Sequence, residues 1–146
     1  LQTEADDDTL VQELLEQMHD SRADFTLTFR RLGELRAGAD IALLRSQFTD
    51  ENRFSNWCAR LSARASRERT TAAEQAQAMH RLNPAFIPRN HRVEEALAQA
   101  VQHNNLSAFE TLSQVLSRPY EDQPEHAAYA EPPPPDFGRY RTFCGT

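Results

Sequence analysis

Four arginines and the single tryptophan of the chain lie at helical spacing near its middle. They are Arg53, Trp57, Arg60, Arg64 and Arg67. Guanidinium groups bind phosphates, and an arginine beside an aromatic ring can stack on nucleic-acid bases. The whole chain, however, has 16 basic and 22 acidic residues and a net charge of −6, whereas nucleic-acid-binding surfaces are usually strongly basic. We therefore expect this stripe to be solvated or to dock on an acidic surface of a neighbouring domain, and we expect no nucleic-acid partner.

The histidines and cysteines lack the spacing of a metal site. No pair of the five histidines is separated by three residues, and neither cysteine is near a second thiol, so the chain is expected to bind no metal. Cys58 lies on an apolar helical stripe and is predicted to be an inert core residue. Cys144 is near the end of the chain, where a thiol is exposed and can exchange disulfides. An incidental free thiol is the alternative interpretation of Cys144.

Nucleotide chemistry is excluded for this chain by what the sequence lacks. All 16 basic residues are arginine, and the four glycines are scattered along the chain. No lysine is present to pair with phosphates or to form a Schiff base, and no glycine-rich loop is present to cradle a nucleotide. No apolar run approaches the roughly 18 residues that span a bilayer.

One polar run between two predicted helices combines rigid turn residues with a possible contact surface. It is the segment 83–91, Asn-Pro-Ala-Phe-Ile-Pro-Arg-Asn-His. In the simpler interpretation it connects two helices, with Asn90 as the helix cap and Arg89 bracing nearby carbonyl groups. In the functional interpretation, Arg89 and Asn90 contact a partner domain.

The elements that position these residues are predicted to be helices. Apolar periodicity and capping pairs indicate helices beginning near Thr9 and spanning about 21–36, 40–47, 50–69, 71–82, 89–103 and 107–117. Valine and isoleucine total only six residues, which argues against a large sheet. The predicted fold is all-α: a bundle of about six or seven helices over residues 1–117, followed by an extended proline-rich tail.

The predicted tail, residues 118–146, contains six of the eight prolines and all three tyrosines. The four consecutive prolines at 132–135 favour polyproline II and cannot join a helix. Two interpretations stay open for this segment. It is a peptide ligand for an aromatic groove, or it lies back over its own protein with its aromatic side chains as anchors.

Several stretches of the chain resemble the selenoprotein O family. They are Arg-Ala-Asp-Phe-Thr at 22–26, Thr-Phe-Arg at 28–30, Trp57, the whole segment 83–91, Glu-Glu-Ala-Leu at 94–97, Arg-Pro-Tyr-Glu-Asp-Gln-Pro at 118–124 and Tyr-Ala-Glu-Pro-Pro-Pro at 129–134. The resemblance covers nearly the whole chain. Members of that family have a protein-kinase-like fold and transfer AMP from ATP to hydroxyl-bearing side chains of proteins, using a divalent metal.

The resemblance implies that this chain is the C-terminal region of a larger enzyme and is catalytically silent alone. The nucleotide-binding residues, metal ligands and catalytic aspartate of the family lie in the kinase-like core, which has no counterpart here. ATP and Mg²⁺ or Mn²⁺ are therefore expected for the parent enzyme only. The expected partners are that core and the protein substrates of the parent. Some members carry selenocysteine third from the C-terminus, the position of Cys144, which implies a redox role for this thiol.

Two functional hypotheses follow. In the first, the helical region braces the kinase-like core through the arginine stripe and the segment 83–91, and it carries a redox-active tail. In the second, the chain is an independent protein-interaction module that uses its helical surface and its proline-rich tail. Because no signal peptide is visible and the first residue is Leu1, we expect a fragment or processed product of a cytoplasmic, bacterial-type protein.

Overall fold

A computed structural model describes residue 4, residues 6–134 and residue 137. Within these ranges the chain forms α-helices, one 3₁₀-helix and no strand, which confirms the all-α prediction. The helices are α1 (Asp7–Ser21), α2 (Phe25–Arg36), α3 (Ala42–Arg45), α4 (Glu51–Ala65), α5 (Ala72–Leu82), α6 (Asn90–His103), α7 (Ser107–Leu116) and the 3₁₀-helix Pro124–Tyr129. Cys144 lies outside the described residues.

Side-chain caps explain some of the helix starts, and the sequence predicts only part of them. Thr71 and Glu74 form the predicted capping box at the start of α5. The predicted cap at Thr9 is wrong, because α1 already begins at Asp7 and has no side-chain cap. The predicted cap at Asn90 is also wrong: this residue is the first of α6, and Arg89 precedes it without a capping hydrogen bond.

The chain divides into two compact units, residues 1–83 and residues 84–146. The first unit contains α1 to α5, and the second contains α6, α7 and the 3₁₀-helix. The boundary between bundle and tail that composition suggests, at residues 117 and 118, falls inside the second unit.

The core of the first unit is built around stacked aromatic rings. Phe54 is fully buried, with its ring centroid 3.7 Å from that of Phe48 and 5.8 Å from that of Trp57. The other buried apolar residues of this core are Leu10, Leu14, Met18, Leu32, Leu44 and Cys58. They come from α1 to α4, so burying these side chains holds four helices together.

A close contact between α2 and α5 depends on a glycine. A Cβ atom at Gly33 would lie 2.5 Å from Cδ2 of His80. Nearby, the buried Arg30 donates from Nη1 to the carbonyl oxygens of His80 and Asn83, both at 3.3 Å. Arg30 therefore binds carbonyl groups at the end of α5 that the helix itself leaves without partners.

The second unit has a small core, and the first part of the predicted tail packs onto it. The backbone amides of Ala85 and Phe86 donate to the carbonyl of Pro119, at 2.8 and 3.1 Å. The buried Gln123 donates from Nε2 to the carbonyls of Val115 and Arg118, at 3.0 and 3.1 Å. The chain after α7 thus turns back and forms the 3₁₀-helix Pro124–Tyr129 instead of extending uniformly.

The apolar face of α6 is not buried as its periodicity predicts. The pattern predicts a core face of Val93, Leu97, Ala100 and Val101. The helix instead buries Ala96 in its pairing with α7, while Leu97 and Val101 are exposed. Periodicity locates an apolar stripe, but it does not decide which edge of that stripe a neighbouring helix covers.

Candidate functional site: the paired charges of α1 and α4

The predicted arginine stripe lies along the face of α4 that meets α1, with Arg67 just after the end of α4, and its arginines bind carboxylates of α1 and of the residues before it. Arg60 Nη1 lies 2.6 Å from Glu13 Oε2, and Arg67 Nη2 lies 2.6 Å from Glu4 Oε2. Arg53 lies in the same row: its Nη2 is 3.5 Å from Glu16 Oε2, and its Nη1 is 3.4 Å from Asp20 Oδ2. We call this set, together with Arg64 and Asp7, the α1–α4 ion-pair row. Its pairs step along the two helices in opposite directions, so α1 and α4 run antiparallel.

Arg64 is the buried member of the row. Its side chain is only 7% exposed, and it forms a bidentate pair with Asp7, with Nε–Oδ1 and Nη2–Oδ2 distances of 2.7 and 3.1 Å. Nη1 also donates to Glu68 at 2.6 Å. Such an arrangement compensates a guanidinium for the loss of water, because each carboxylate accepts a charge-assisted hydrogen bond.

The ionisation of this buried pair follows from its contacts. The hydrogen bond from Arg64 and the backbone N–H of Glu4, 2.9 Å from Oδ2, hold the pKa of Asp7 below its usual range. The hydrogen bonds from Asp7 and Glu68 in turn raise the pKa of Arg64. Both groups are therefore charged throughout the neutral range, and Arg64 already has its carboxylate partners within the unit.

Trp57 lies in the core and not on the surface of the stripe. Its indole Nε1 donates to the carbonyl of Leu10 at 2.8 Å, which joins α4 to α1 a second time. The side chain is buried, and its ring stacks on Phe54. The structure thus brings the predicted residues together, but the ring faces its own unit, where it has no room for a base.

Three arginines of the stripe keep part of their surface exposed. The side chains of Arg53, Arg60 and Arg67 are about half exposed. Ion pairs at this level of exposure contribute little to stability, because water screens them. Docking of these three guanidinium groups on another part of a longer polypeptide stays a prediction.

The second predicted contact region, around Arg89, binds the chain after α7. Arg89 is buried and donates from Nη2 to the carbonyl of Ala130 at 2.9 Å. Arg92 donates to the carbonyl of Ala128 at 3.0 Å, and its guanidinium lies 5.6 Å from the centre of the Tyr129 ring. Two arginines of the α6 start thus hold the end of the 3₁₀-helix, while Asn90 is exposed.

The remaining titratable candidates show no sign of catalytic activation. Burial raises the pKa of the Cys58 thiol to about 11, so this thiol is protonated and inert at neutral pH. Partial burial, together with the nearby Arg92 and Arg89, lowers the pKa of His91. In the described part of the chain, no three histidine, cysteine, aspartate or glutamate side chains form a group suited to a metal ion.

Comparison with known proteins identifies the family. The family model described as protein adenylyltransferase SelO matches residues 1–117. The chain belongs to this family. It is 49% identical over 145 residues to a protein nucleotidyltransferase YdiU of Bradyrhizobium diazoefficiens, covering 99% of this chain and 30% of that protein. It is 52% identical over 149 residues to one of Rhizobium meliloti, covering 100% of this chain and 30% of that protein.

The SelO-family relatives are much longer than this chain, which spans about 30% of the length of those two proteins. The family match ends at residue 117, whereas the relatives align over almost all of the chain. The helical region and the tail are therefore both shared with these nucleotidyltransferases.

The acidic partners of the stripe could have been found in the sequence. Glu13, Glu16 and Asp20 recur at helical spacing on α1, as the arginines do on α4. Two helices with complementary charged faces are candidates for pairing. By contrast, no sequence signal places Arg30 on the carbonyls of His80 and Asn83, because that contact depends on how α2 meets α5.

The contact between Asp7 and Arg64 predicts a specific pH dependence of stability. Because the folded-state pKa of Asp7 is lowered, its stabilisation is complete above the usual value of 3.8 and is lost as pH falls through the folded-state pKa. Asp7→Asn should therefore lower the urea midpoint at pH 7, and the difference from the original chain should shrink below about pH 4. Fluorescence of Trp57 reports the unfolding.

Asp8→Asn is the matched control, since Asp8 is also acidic and in the first turn of α1, but it is exposed. It removes the same favourable charge from the helix start without touching Arg64. Equal midpoint losses for both variants at pH 7 would show that the pair with Arg64 contributes nothing.

Proposed function

We propose that this chain is the non-catalytic helical region of a SelO-type protein adenylyltransferase, and that it braces the kinase-like core of that enzyme. The parent transfers AMP from ATP to serine, threonine or tyrosine hydroxyls of proteins, with Mg²⁺ or Mn²⁺. The observation that carries the proposal is that nucleotidyltransferases about 50% identical to this chain share it over only 30% of their length.

The composition of the chain supports a division of labour within the parent. The chain contains no lysine and no glycine-rich loop, and its described residues offer no group of metal ligands. These residues do not fit ATP or its metal, so we assign no step of the transfer to them. The described residues contain no helix that could span a membrane. Because the relatives are bacterial proteins, we propose that the parent works in the bacterial cytoplasm.

The bracing role has candidate contacts in both units. In the first unit, Arg53, Arg60 and Arg67 keep about half of their surface for a second acidic partner. In the second unit, Asn90 is exposed beside the buried Arg89. We propose that these side chains contact the core of the same polypeptide.

The second part of the proposal is a redox function of the tail. Arg89 and Arg92 hold the carbonyls of Ala130 and Ala128, which fixes the position of the chain at the end of the 3₁₀-helix, 14 residues before Cys144. We propose that Cys144 forms a disulfide with a cysteine of the core. In that step the two thiols lose two electrons and two protons to an oxidant such as a peroxide. Cys58 is an unsuitable partner because it is buried.

The proposed function is tested in a chimera in which this chain replaces its aligned segment in the Rhizobium meliloti relative. We expect the chimera to incorporate AMP from labelled ATP into protein, and the relative without that segment to lose most of this activity. The isolated chain should incorporate none. Activity of the isolated chain, or full activity without the segment, would contradict the proposal.

The redox role is tested by Cys144→Ser in the same chimera, with Cys58→Ala as the matched control. In Cys144→Ser, oxidised and dithiothreitol-reduced samples should have the same activity, because the disulfide cannot form. Their activity ratio is then one. Cys58→Ala should keep the ratio of the unmodified chimera. If Cys144→Ser also keeps that ratio, Cys144 has no redox role.

A further inference from the structure

The second unit carries a group of exposed apolar residues around the turn that joins α6 to α7. Ten large hydrophobic residues are exposed, and four of them fall within residues 97–109. They are Leu97, Val101, Leu106 and Phe109, with exposures of 48%, 83%, 56% and 51%. Single exposed apolar side chains are ordinary, but a concentration of them marks an interaction site. We call these four residues the α6–α7 corner.

The corner has a helical apolar pattern, yet its side chains are exposed in the described structure. Leu97 and Val101 belong to the apolar stripe of α6, and Phe109 belongs to that of α7. The pairing of the two helices buries Ala96 and Leu112 instead. In the described part of this unit the buried apolar residues are few and mostly small: Ala85, Phe86, Ala96, Leu112 and Val115. The sequence therefore encodes more apolar surface than the unit buries.

We propose that the α6–α7 corner docks on the remaining part of the same longer polypeptide. This inference rests on the proposed function, because it takes the relatives' additional length as the occupant. About 70% of the length of the two relatives lies outside the aligned segment. The corner also lies within residues 1–117, the range that the family model matches.

A second copy of the chain fits the corner less well. A stable dimer buries about 800 Å² on each partner. An aromatic side chain has roughly 150–250 Å² in total, so four side chains that are mostly half exposed supply well under a dimer interface. Docking within one polypeptide needs less area, because the partners are already linked and the entropy of association is small.

The first test is hydroxyl-radical footprinting, which labels side chains in proportion to their exposure. The isolated chain is compared with the Rhizobium meliloti chimera by mass spectrometry. A side chain that enters a protein interior becomes about 95% buried, so labelling of the half-exposed Phe109 should fall roughly tenfold in the chimera. Leu106 should follow it. Equal labelling in both samples would overturn the proposal.

Other occupants give distinct results in the isolated chain. Protection of Phe109 that rises with chain concentration would identify a second copy. Protection at every concentration would show that the chain covers its own corner. Either result overturns the proposal.

A pair of double variants gives a second readout. Leu97→Gln with Val101→Gln should leave the thermal midpoint of the isolated chain unchanged and should lower that of the chimera. The matched control is Leu43→Gln with Leu82→Gln, two exposed leucines of the first unit, which should change neither. Equal effects of the two pairs in the chimera would overturn the proposal.

The two proposals fail in different ways. If the corner variants behave like the controls but removal of the whole segment still abolishes AMP transfer, the docking surface is wrong and the proposed function stands. If removal of the segment has no effect on transfer, the proposed function itself fails.

Discussion

The bidentate pair between Arg64 and Asp7 is the contact on which the first unit depends. A guanidinium that is nearly excluded from water destabilises a fold unless carboxylates receive its protons. Asp7 and Glu68 meet this requirement. The pair fixes how α1 lies along α4, and that placement lets Trp57 reach the carbonyl of Leu10 and lets the aromatic core close. The exposed ion pairs of the row favour the antiparallel alignment of α1 and α4, but they add little stability.

This constraint changes what the arginine stripe can offer to other molecules. Residues that could have bound phosphates or bases are engaged with α1, and the aromatic ring among them is buried. Beside the half-exposed guanidinium groups of the stripe, we assign to the chain an apolar binding surface, the α6–α7 corner. Such a surface suits the role that we propose for this chain, which is to pack on the other parts of a longer polypeptide.

Apolar periodicity predicts the helices, because it depends on contacts within a few residues, whereas the predicted caps at Thr9 and Asn90 are wrong. The same periodicity predicts the core position of Cys58, which the structure confirms. The orientation of Trp57, the exposure of Leu97 and the contact of Arg30 with α5 could not be predicted, because they depend on the angles and registers at which helices meet. The carboxylate partners of the stripe were visible in the sequence of α1, but without a structure they could equally have belonged to another domain.

A double-mutant cycle on Asp7 and Arg64 tests most directly whether their pairing organises the first unit. The urea stability of the original chain is compared with that of Asp7→Asn, Arg64→Gln and the double variant, with Trp57 fluorescence as the signal. If the pair holds α1 on α4, the loss in the double variant is clearly smaller than the sum of the two single losses. A loss equal to that sum would show that the two residues act independently, and it would contradict the account.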